Sequence, residues 1–96
     1  MLKWITALVV EPGKAPEVRE LPNNLKAFEL TIQGYVETVE SLRSGCLIVY
    51  DGNHPLSRSP KKREDIQGVF IIMRVEQTEP VSLSEEDIKA LAEVYG

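Results

Sequence analysis

Apolar residues in this chain fall mostly in short runs of strand length separated by turn residues, and only twice at helical spacing. Trp4–Val10 is a β-branched apolar run closed by Pro12-Gly13, which predicts a buried first strand with Trp4 in the core. In Pro16–Leu21, Val18 and Leu21 stand among Glu17, Arg19 and Glu20, the pattern of a half-exposed strand folded back on the first. Pro22-Asn23-Asn24 supplies an N-cap, Leu25, Phe28 and Ile32 follow at helical spacing, and Gly34 is placed to end that helix. Tyr35–Leu42 mixes β-branched and polar residues as a third strand would, and Ser44-Gly45 turns it into the apolar run Cys46–Tyr50. Beyond a polar stretch, Ile66–Val75 reads as a further strand. The chain closes on a helix. Ser84 caps it, Asp87 occupies the capping-box position, Leu83 and Ile88 form the staple, and Ile88, Leu91, Ala92 and Tyr95 make one apolar stripe. The order β-β-α-β-β-loop-β-α predicts an α+β fold over residues 1–96, a mostly antiparallel sheet with both helices on one face.

Bulk properties narrow the class. Ninety-six residues make one domain, and 43% hydrophobic with 27% charged residues is a globular composition. A net charge of −4 argues against attraction of the whole molecule to DNA, RNA or anionic lipid. From Glu76 onward six acids face one lysine, so the charge is unevenly spread. Cys46 is the only cysteine, which excludes an intramolecular disulfide and a cysteine-based zinc site and predicts a buried thiol. The apolar start is followed at once by Glu11-Pro-Gly-Lys14, so it reads as a strand rather than a signal peptide. No run approaches the ~20 apolar residues of a membrane span. The expected setting is cytoplasmic, with no membrane partner.

The candidate chemistry gathers in Asp51–Arg63, which holds the sole histidine and four of the eleven basic residues. Ser57 and Ser59 hydroxyls, backbone amides and the Arg58 fork are groups suited to phosphate or carboxylate oxygens. Lys61, Lys62 and Arg63 form a second, partner-facing positive run. His54 next to Asp51 suggests an acid–base pair, yet a turn role fits it better, since no nucleophile accompanies it. Glu37 and Glu40 point to opposite faces of a regular strand and make no glycosidase-like pair. Glu11-Pro-Gly-Lys14 lacks the spacing of a phosphate loop, although Lys14 can lean towards a ligand from its turn. Tyr35, just after Gly34, offers a ring for stacking. No catalytic site, metal site or cofactor is expected, and the basic loop lacks the interleaved aromatics of a nucleic-acid binder.

Six segments together carry a family resemblance: Leu8-Val-Val-Glu-Pro-Gly-Lys-Ala-Pro-Glu-Val-Arg-Glu-Leu21, Gly34-Tyr-Val-Glu-Thr-Val39, Leu47-Ile-Val-Tyr-Asp51, Pro55-Leu-Ser-Arg58, Asp65-Ile-Gln-Gly-Val-Phe70 and Leu83-Ser-Glu-Glu-Asp87. The chain resembles the domain of unknown function 3846 family, small proteins of phages and Gram-positive bacteria. The resemblance implies that Lys14, Tyr35, Glu37, Asp51 and Arg58 are its recurrent polar positions. Ser57 stands where the family pattern usually has Asn. A phage-type accessory protein is the implied setting. The expectation is a non-enzymatic homo-oligomer, a dimer or larger, that sequesters a small anionic, nucleotide-like molecule through Arg58, Ser57, Tyr35, Lys14, Glu37 and Asp51, as a counter-defence sponge does. The alternative is an interaction or inhibitor module that docks Lys61, Lys62 and Arg63 on an acidic partner surface.

Overall fold

The structure, a computed structural model, describes residues 3–54 and 63–96. Among them the elements are β1 (Trp4–Val10), β2 (Glu17–Pro22), α1 (Leu25–Ile32), β3 (Val36–Glu40), β4 (Cys46–Asp51), a 3-10 turn (Arg63–Asp65), β5 (Phe70–Glu76), β6 (Glu79–Val81) and α2 (Glu85–Tyr95). The sheet runs β2-β1-β5-β4-β3, with β6 paired to β5, and every pairing is antiparallel. The α+β class and the order of the long elements agree with the sequence reading. No helix among the described residues is long and apolar enough to cross a membrane.

Strand alternation divides the core in two, because successive side chains point to opposite faces. Ile5, Ala7, Val9, Ile71 and Met73 pack with Phe28 and Ile32 of α1. Leu8, Val10, Ile48, Phe70 and Ile72 pack with Leu91 and Tyr95 of α2. The two helices therefore cover opposite faces, not one. The central strands β1 and β5 are apolar at consecutive positions because both of their sides are buried.

Several local expectations change in the same way. Trp4 is 57% exposed rather than in the core, since it lies opposite Pro22 of the edge strand, at the end of the sheet. Helix α1 is capped by Asn24, whose side chain accepts from the Ala27 amide. Its left-handed terminal residue is Gln33, with φ of 56°, not Gly34. Gly34 is required for space, because a Cβ there would fall within the Asp51 carboxylate. Strand β5 starts at Phe70, leaving Ile66 as a buried anchor outside the strand. Ala92 is exposed, and the buried line of α2 is Asp87, Leu91 and Tyr95 at four-residue spacing. Strand β6 was not expected. It is reached through Gln77 and Thr78, both with positive φ (51° and 66°), as a two-residue hairpin turn of the primed type demands.

The buried Asp87 joins the two halves of the α2 face. Its carboxylate accepts from Arg74 Nε (2.8 Å) and Nη2 (2.6 Å), Arg43 Nε (2.6 Å) and the Ser84 amide (2.9 Å), while its own amide donates to Ser84 Oγ at 3.1 Å. The capping box is present as expected, and it carries an ion-pair network as well. Arg74 above all, with the Ser84 amide and Arg43, holds this carboxyl far below the usual carboxylate range against the opposing effect of burial.

Cys46 behaves as a buried thiol, 1% exposed, with burial and the nearby Asp87 charge pushing its pKa up. A thiolate is the reactive species, so native protein should resist thiol reagents. Labelling with a disulfide reagent is expected to be slow in buffer and complete within minutes in denaturant. Rapid native labelling would place the thiol at the surface.

Candidate functional site

Antiparallel pairing brings one set of strand ends together: the ends of β1 and β4 and the beginnings of β2, β3 and β5. The β1–β2 turn with Lys14, the α1–β3 junction with Tyr35, and both ends of the long β4–β5 connection lie there. The candidate residues that are described thus share one end of the sheet. Ser57, Arg58, Lys61 and Lys62 lie outside the described residues.

Asp51 organises one side of this end. Its Oδ1 accepts from the Tyr35 amide (3.1 Å) and the Asn53 amide (3.0 Å). These two backbone donors, Asn53 first, hold its carboxyl below the usual range. The Gly52 amide donates to the Tyr35 carbonyl at 2.7 Å, so the Tyr35 backbone is fastened at both its N–H and its C=O. Tyr35 as a whole remains 60% exposed. Glu37 lies opposite Tyr50 in the β3–β4 register, and its side chain reaches back over Gly52. Tyr35, Glu37 and Asp51 therefore form one cluster. Asp51 serves it as a scaffold, since its carboxylate is committed to the turn. His54 donates its amide to the Asp51 carbonyl (3.0 Å), whereas its Nε2 stands 3.9 Å from Asp51 Oδ2, too far for a hydrogen bond. That geometry fits a turn residue.

Lys14 belongs to the other side. Between the β1–β2 turn and residues 63–68 lies an open groove of about 670 Å³, lined by Gly13, Lys14, Arg63, Ile66, Gly68 and Phe70, among others. The Lys14 side chain is 70% exposed and its ammonium is 4.0 Å from Glu11 Oε1, a separation at which an exposed pair holds little. Glu11 is engaged more closely by Arg19, at 2.8 Å. Arg63 turns inward: its Nη2 donates to the Glu11 carbonyl (2.8 Å) and the Lys14 carbonyl (2.5 Å). It thus ties the far end of the long connection to the β1–β2 turn. Neither this clamp nor the spatial need for Gly34 and Gly52 was visible in the residue pattern, because each depends on a partner distant in sequence.

The sheet order β1-β5-β4-β3 sets the two sides three strand spacings apart, roughly 14 Å. Lys14 and Tyr35 accordingly do not meet at a single point. The connection that spans this distance begins at His54 and re-enters at Arg63. Among the described residues, no group of three or more His, Cys, Asp or Glu side chains is arranged to hold a metal ion.

No curated protein and no solved structure matches the chain. A family model does match, described as Domain of unknown function (DUF3846) and covering residues 5–96, so it takes in both sides of this sheet end. This chain belongs to that family.

Proposed function

We propose that the protein binds and sequesters a small anionic, nucleotide-like molecule at the sheet end that carries Lys14 and Tyr35. The observation that carries this reading is Tyr35: an aromatic residue 60% exposed on a backbone fastened at both its donor and its acceptor. A ring held out by a rigid junction has little backbone freedom left to lose when it stacks on a ligand, which favours binding. The second support is separation of charge. Lys14 lies on the groove side, roughly 14 Å from the Tyr35 cluster, and the connection bearing Ser57 and Arg58 joins the two sides. An extended ligand, with a base at one end and phosphates at the other, suits that layout better than a compact one. The ring stacks on Tyr35, and the phosphates take charge-assisted hydrogen bonds from Arg58, with Ser57 and Lys14.

The test is isothermal calorimetry of the full chain with nucleoside mono- and triphosphates and linear and cyclic dinucleotides. At least one nucleotide is expected to bind, with affinity falling on the order of tenfold or more in Arg58→Ala. A smaller loss is expected in Tyr35→Ala. Binding untouched by Arg58→Ala would remove that residue from the site, and no binding across the panel would overturn the reading. A single stoichiometric protein partner, lost on charge reversal of Lys61 and Lys62, would favour the docking alternative instead.

A further inference from the structure

Resting on that reading, we infer that Tyr35 and Glu37 form a base-reading pair that selects a ring edge with two adjacent N–H donors, as guanine presents. The inference starts from Gly52. This glycine is not among the positive-φ residues, so backbone conformation does not call for it. Space does: a Cβ at Gly52 would collide with Glu37 Cγ and stand 3.0 Å from Tyr35 Cδ2. The missing side chain lets an aromatic ring and a carboxylate-bearing side chain close over the same backbone atom. The Gly52 amide, bonded to the Tyr35 carbonyl at 2.7 Å, keeps that approach in register.

Glu37 is exposed and makes no hydrogen bond or ion pair with the described residues. Asp51, the residue after Tyr50, differs in that its Oδ1 is engaged by two backbone amides. Of the two acids in the cluster, Glu37 is thus the one available to a ligand. A carboxylate has two acceptor oxygens and no donor. A ring stacked on Tyr35 with its edge towards Glu37 is read by what that edge offers. Guanine offers a ring N–H beside an amino group, matching both oxygens. Adenine offers an acceptor nitrogen beside its amino group, which opposes one lone pair to another. The same negative charge repels phosphates, so it orients the ligand with its phosphates away from Tyr35 and towards Lys14.

The experiment compares GTP, inosine triphosphate and ATP by calorimetry on the full chain and on Glu37→Gln. In the unmodified protein GTP is expected to bind roughly tenfold or more tightly than ATP, with inosine triphosphate between them because it lacks the amino donor. Glu37→Gln exchanges one acceptor for a donor at nearly constant shape, and should bring GTP and ATP within about threefold of each other. Tyr35→Leu should weaken all three alike, which separates stacking from edge reading. ATP binding as tight as GTP in the unmodified protein would overturn the pairing while leaving nucleotide binding intact. A guanine preference that survives Glu37→Gln would do the same. Failure of all three nucleotides to bind would overturn both readings.

Discussion

Replacing Asp87 with alanine is expected to cost about 3–5 kcal/mol of folding stability, a large share of the total for a domain of this size. The carboxylate is fully buried and receives two donors from Arg74, one from Arg43 and one from the Ser84 amide. Its removal leaves two guanidinium groups facing each other and breaks the capping box of α2. Arg74 and Arg43 keep 24% and 31% of their side-chain surface exposed, so each can turn partly to water, which favours the lower end of that range. Arg43→Ala should be milder, because Asp87 keeps its bidentate partner. Urea unfolding of the three proteins gives the comparison. A loss below 1 kcal/mol in Asp87→Ala would mean that the network adds little beyond a surface pair.

The same residue fixes the acid side of the stability curve. Its folded pKa is depressed, chiefly by Arg74. The stabilisation is therefore present above the unfolded pKa of about 4 and is lost as pH falls below it. Between about pH 4 and pH 2 this one site contributes a slope approaching 1.4 kcal/mol per pH unit. Asp87→Asn should be less stable at pH 7 and flatter in acid. Parallel acid limbs for the two proteins would assign the slope to other carboxyls.

Much of this frame was open to reading from local pattern, and the parts that were not share a cause. The long strands and both N-caps follow from neighbours in sequence: Asn24 and Ser84 act within three residues of themselves. Whether the helices share a face depends instead on which parity of each strand meets which helix, and β1 and β5 are apolar on both parities. Strand β6 is not legible in the pattern because its turn is Gln77-Thr78, without the Asn or Gly that signals a positive φ. One overlooked signal was available. Arg74 falls on the same strand parity as Phe70 and Ile72, so a charge in a core-facing position already called for an acidic partner. Of the candidate site residues, Tyr35, Asp51 and Glu37 lie near one another across a hairpin. Lys14 stands apart from them, because the sheet order puts two strands between β1 and β3, a separation that no local pattern reveals.

Tyr95→Ala is the second large loss expected, about 3–5 kcal/mol, although the residue is next to last in the chain. Tyr95 is fully buried, its ring edge-on to Phe70 at 6.2 Å and 73°, and its hydroxyl accepts from the Leu42 amide at 3.1 Å. One side chain thus ties the end of α2 to both β5 and the β3–β4 turn. Tyr95→Phe keeps the ring and leaves the part-buried Leu42 amide without that acceptor, a loss of about 1 kcal/mol. The pair of variants separates packing from the hydrogen bond. Burial raises the Tyr95 pKa, so the folded state holds the phenolic proton more tightly than the unfolded state. That contribution is fully present below the unfolded pKa of about 10 and is lost as pH rises through the folded value. Above about pH 10 the unmodified protein should therefore lose stability with a slope that Tyr95→Phe lacks. Thermal melts of both proteins between pH 8 and pH 11, expected to diverge only at the alkaline end, provide the measurement. Melts that stay parallel throughout would show that the phenol ionises as readily in the folded protein as in the unfolded chain.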